Sequence, residues 1–83
     1  MTTNGHRPEK NLTLEHEGSF FICTRKGNRV VAIVVGRGQT AREVFSSDHP
    51  LTIEEKLNAT AAVARVWMDP QQQEEIERFI AQL

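Results

Sequence analysis

The sequence predicts an α+β fold in which a three-stranded antiparallel β-meander is followed by three helices, a βββααα order. Three observations predict it. Aromatic and β-branched residues fill 19–24 and 29–35 with Gly27-Asn28 between them, the pattern of a hairpin with a two-residue loop. Two Thr-x-x-Glu boxes, beginning at Thr40 and Thr52, stand directly before apolar-periodic stretches, as helix N-termini do. Asp69-Pro70 then precedes Ile76, Phe79, Ile80 and Leu83, whose spacing of i, i+3, i+4 and i+7 marks one face of a helix.

Taken in order, residues 1–10 are polar and read as a flexible tail, leaving 11–83 as a single α+β domain. Residues 12–16 alternate apolar and polar like a half-buried strand, and Gly18 ends it. A two-residue loop at Gly27-Asn28 sets Phe20, Ile22, Thr24, Val31, Ile33 and Val35 on one face of the hairpin. The opposite face then carries Phe21, Cys23, Arg25, Val30, Ala32 and Val34. Both faces are largely apolar, which an antiparallel hairpin with one side in water does not need, so the hairpin calls for cover on both sides. After Gly36-Arg37-Gly38, the Thr40 box predicts a short helix that stops at Asp48-His49-Pro50. The Thr52 box opens a second helix with apolar or small residues at 53, 57, 61, 64 and 68, widened by Val63, Val66 and Trp67. Its alanines allow close approach to the helix backbone. Asp69 as N-cap and Pro70 at the first helical position start the third helix.

Eighty-three residues suit one domain with a thin core. The only cysteine, Cys23, excludes an internal disulfide framework. No apolar run is long enough to span a bilayer and the start has no secretory pattern, so a cytoplasmic protein with no membrane partner is expected.

Charge is the most informative signal. Arg25, Lys26, Arg29, Arg37 and Arg42 fall between 25 and 42 without one acid, whereas 43–83 hold eight acids against three bases. A field segregated in this way can steer an anionic partner even at a net charge of −1. These five bases are the expected partner-binding patch. The segment 36–40 joins a strand to an expected helix N-terminus, yet it lacks P-loop spacing and reads as a plain turn.

No catalytic residue, metal site or cofactor is expected. Cys23 lies inside an apolar strand as a small core residue, and the acids flanking His16 point away from it in an extended chain. Asp48-His49-Pro50 reads as a helix terminator, and the scattered histidines have no ligand spacing. The aromatics occupy core positions and there is no tyrosine, which weakens single-strand nucleic-acid binding.

The expected function is therefore a non-enzymatic protein-binding module, a regulator or inhibitor that occludes a partner macromolecule. Phage and mobile-element anti-defence products, anti-CRISPR proteins among them, are often of this size and type. The alternative is a nucleic-acid-binding module using the basic hairpin. In a meander the last strand is an edge, and Val30, Val31, Ala32, Ile33, Val34 and Val35 carry no proline, glycine or charge to blunt it. A homodimer joined through that edge strand, or another partner covering it, is expected.

Overall fold

The computed structural model describes residues 8–83 and is an α+β protein: a four-stranded antiparallel sheet followed by two helices. The strands are β1 (Lys10–His16), β2 (Ser19–Lys26), β3 (Arg29–Val35) and β4 (Arg42–Ser47), in sheet order β1-β2-β3-β4. The helices are α1 (Ile53–Val66) and α2 (Pro70–Ala81). The tail expected over 1–10 lies mostly outside the described residues, and Lys10 already belongs to β1.

The central hairpin forms in the expected register. Lys26 faces Arg29, Cys23 faces Ala32 and Phe20 faces Val35. Gly27 adopts a positive φ of 63°, the requirement of a II′ loop at its first position. The β1–β2 turn is equally short: Glu17 and Gly18 both take positive φ, 53° and 85°. The Glu15 carboxylate accepts from the Gly18 amide there at 3.1 Å.

The principal correction lies at 40–47. The expected first helix is instead β4, and Thr40 caps nothing. Only Ala41, Arg42 and Glu43 favour a helix there, whereas Val44 and Phe45 favour a strand. A helix this short is marginal by itself, but a strand satisfies the whole row of backbone groups along β3. The edge-strand expectation for Val30 to Val35 is overturned by the same event, because β3 is an interior strand flanked by β2 and β4. A bulge lets β4 fit: Ala32 faces Phe45 and Ile33 faces Glu43, so Val44 is the extra residue. Val44 and Phe45, though adjacent, both pack against the core.

The N-cap of α1 is the box expected at Thr52. Its hydroxyl accepts from the Glu55 amide at 3.1 Å, and the Glu55 carboxylate accepts from the Thr52 amide at 2.9 Å. Asp69 caps α2 through the Gln72 amide, with Pro70 at the first turn. The helices lie along one face of the sheet, α1 against β4 and α2 against β1. The core between the layers is Phe21, Cys23, Val30 and Ala32 from the sheet, met by Ala59, Val63, Trp67, Ile76, Ile80 and Leu83. In α1 the buried row is thus 59-63-67, an i, i+4, i+8 line that seats Trp67 in the core. The row 53-57-61-64-68 singled out in the sequence faces water instead.

Candidate interaction surfaces

The five bases do not form one patch. Arg25 sits on the helix-covered face of β2, only 5% exposed, where its Nη2 donates to the Pro8 carbonyl at 2.7 Å. Among the described residues its Nε has no hydrogen-bond partner. Lys26 and Arg29 stand opposite each other at the β2–β3 hairpin end. Arg37 and Arg42 are at the other end of the sheet, and the Arg37 guanidinium lies over Gly18, within 2.6 Å of where a Cβ would be. A run of bases in sequence is divided by the strand that separates them, because β3 carries the chain from one end of the sheet to the other. Two exposed bases remain at each end.

The open face of the sheet is the larger feature. Its central rows are the cross-strand pairs Phe20–Val35, Ile22–Ile33 and Thr24–Val31. None of these apolar side chains packs against the core cluster. Phe20 and Val31 remain 41% and 39% exposed. Register places Glu15 beside Phe20 from β1 and Glu43 beside Ile33 from β4, so the stripe has acidic sides and a basic end at Lys26 and Arg29. A groove lined by Thr24, Lys26, Arg29, Val31, Glu43 and Ser46 opens across that end. Cross-strand neighbours of this kind share a face and approach within about 5 Å, which makes the stripe continuous.

Chemistry-bearing side chains elsewhere are tied into structure. His49 places Nδ1 3.1 Å from the Asp48 carboxylate and Nε2 3.0 Å from the Glu55 carboxylate. The hydrogen bond to the Glu55 carboxylate, followed by that to Asp48, raises the His49 pKa above its ordinary value. The reciprocal hydrogen bond from His49 lowers that of Asp48. Glu55 is lowered first by the Thr52 backbone amide and next by His49. The cluster therefore extends the α1 cap: both ring nitrogens are committed to carboxylates, and the Ser47 hydroxyl bonds the His49 backbone, not its ring. Cys23 is fully buried, and burial pushes its thiol up to about 12, which leaves no thiolate near neutrality. Among the described residues no group of three or more His, Cys, Asp or Glu could hold a metal ion. None of their helices is long and apolar enough to cross a membrane.

Sequence reasoning grouped the residues of this face correctly but expected cover on both sides of the hairpin. It also missed the exposed side of α1, where Ile53 and Leu57 project from the molecule with Met68 just past its end. The available signal was Trp67: the largest apolar side chain of the segment sets which row turns inward, and 59 and 63 lie on its row while 53, 57 and 68 do not.

Comparison with protein-family models, curated proteins and solved structures finds no match to this chain.

Proposed function

We propose that the protein is a non-enzymatic protein-binding module, a regulator or inhibitor that occludes a partner's surface with the open face of its sheet. One observation carries this reading: five of the six residues in the rows Phe20–Val35, Ile22–Ile33 and Thr24–Val31 are apolar, on the side the helices leave uncovered. An antiparallel sheet packed on one side normally turns polar residues outward on the other. Contiguous exposed apolar rows rimmed by charge are the mark of a docking surface. The partner that fits is a protein presenting an apolar strip with an acidic group at the end that meets Lys26 and Arg29. Charge at the rim then sets orientation and association rate, and the apolar centre supplies the affinity.

The test is affinity capture from the native host with the wild-type chain and with Val31→Glu, followed by titration of whatever protein is retained. Loss of that protein with Val31→Glu, at unchanged circular dichroism, supports the reading. Retention of the same protein at the same affinity overturns it. Binding to heparin or duplex DNA that falls steeply with salt and is abolished by Lys26→Glu/Arg29→Glu would establish the nucleic-acid alternative instead.

A further inference from the structure

The outer side of α1 is a second apolar surface, separate from the sheet. Ile53, Leu57 and Met68 are 80%, 67% and 72% exposed. Ile53, Leu57 and the exposed Ala61 and Ala64 fall, at about 100° per residue, within a stripe roughly 80° wide, and Met68 stands just past the end of the helix, after the extended Trp67. This is the kind of seam a helix presents to another helix. Large side chains sit toward its start and small ones past its middle, so a facing backbone can come close there.

The flank of the stripe carries the decisive detail. Glu54 and Arg65 lie on the same side of it, near opposite ends of the helix, and both are exposed. Neither takes part in any of the ion pairs among the described residues, which join His16–Glu17, Asp48–His49, His49–Glu55 and Glu74–Arg78. A helix with an acid at one end and a base at the other end of one flank is complementary to an antiparallel copy of itself.

We propose that two copies of this chain pair through this face, α1 against α1, antiparallel about a two-fold axis close to Ala61. A two-fold perpendicular to the helices brings like flanks together with their ends exchanged. Leu57 of one copy then faces Ala64 of the other, Ile53 reaches the far end of the other helix, and Ala61 lies near its own counterpart. Glu54 comes within reach of the second copy's Arg65, and the exchange is repeated by symmetry. A parallel two-fold pairing would carry the two Glu54–Arg65 flanks to opposite sides of the seam and form neither contact, so charge favours the antiparallel form. The open sheet faces play no part in this contact, and the inference stands apart from the docking function proposed above.

Sedimentation equilibrium across a concentration series, with three kinds of variant, tests it. Wild type should pass from 9.4 kDa to twice that mass as concentration rises. Leu57→Glu should weaken the dimer at least tenfold, and because Leu57 is two-thirds exposed the fold should survive it. Glu54→Arg and Arg65→Glu should each weaken association, and the double exchange should restore it, since the antiparallel pairing regains both contacts. Oxidised Ala61→Cys should give a covalent dimer. Ile53→Cys should not, because the two copies of position 53 stand roughly 20 Å apart along the pair. The buried Cys23 thiol stays out of that chemistry. A monomer mass at every concentration overturns the proposal and leaves the stripe to a different protein or to a lipid surface. A dimer that survives Leu57→Glu, or one that cross-links through Ile53→Cys and not Ala61→Cys, overturns it equally. Val31→Glu should leave the dimer intact, so failure of sheet-face docking and failure of dimerisation are read separately.

Discussion

Trp67 donates its indole Nε1 hydrogen to the Gln72 side-chain oxygen at 2.7 Å, across the Asp69-Pro70 corner that joins the two helices. Gln72 Nε2 in turn donates to the Glu15 carbonyl at 3.1 Å, and Gln73 Nε2 donates to the Trp67 carbonyl at 2.6 Å. One glutamine thus ties a buried indole, the start of α2 and the end of β1 together. Trp67 also meets Phe21 at 6.1 Å and the edge of His16 at 6.5 Å between ring centroids. Replacing Gln72 with Ala leaves the indole hydrogen without its acceptor and is expected to cost about 1–3 kcal/mol in urea denaturation. A cost no greater than that of a surface substitution would show that water replaces the glutamine freely.

The two Thr-x-x-Glu boxes separate cleanly in effect. Thr52→Ala removes a formed reciprocal cap and is expected to destabilise by about 0.5–2 kcal/mol. Thr40→Ala removes no cap, since the chain runs into β4 there, and should change stability by less than about 0.5 kcal/mol. Equal effects at both positions would contradict the assignment of 42–47 as a strand.

That pair of residues also shows what was legible in advance. The hairpin register, the Thr52 and Asp69 caps and the α2 stripe are local signals, and each appears as the spacing implied, whereas the expected cover on the second hairpin face is not there among the described residues. The Thr40 box is as good a local signal as the Thr52 box, yet it lost to a non-local one: β3 offers an unpaired ladder, and pairing it outweighs one turn of helix. The α1 stripe was misassigned for a related reason, because periodicity defines a face without saying whether the core or water lies beyond it. The grouping of the five bases failed on geometry, since neighbours in sequence at the ends of one strand stand far apart in the sheet.

Arg25 supplies a third prediction. Among the described residues it is a buried cation with one hydrogen bond to Pro8, an unpartnered Nε and no acid paired with it. Removing such a charge in favour of an apolar chain of similar length relieves desolvation. Arg25→Met should therefore hold or raise the denaturation midpoint and leave partner binding unchanged. A loss above about 2 kcal/mol would mean that the Pro8 contact outweighs burial of the charge.

The His49 cluster gives a pH dependence of defined sign. His49 has its pKa raised in the fold, so its contribution is fully present below its ordinary 6.5 and is lost as pH rises through the raised value. Asp48 and Glu55 have theirs lowered, so their contributions are present above their ordinary 3.8 and 4.5 and are lost as pH falls through the lowered values. The start of α1 is best held between about 4.5 and 6.5. All three groups are solvent-exposed and the effect is modest. Proton NMR should find His49 titrating above its value in a short peptide of the same sequence, and Glu55→Gln should bring it down. A His49 titration identical to the peptide's would dissolve the cluster.

The open sheet face is tested most directly by methyl NMR of labelled protein titrated with the partner recovered by capture. Signals of Ile22, Val31, Ile33 and Val35 should shift or broaden in step with binding, while those of the core residues Val63, Ile76 and Ile80 should hold their positions. Perturbation confined to Ile53, Leu57 and Met68, with the four sheet-face residues unmoved, would contradict the account and transfer the partner to the helix.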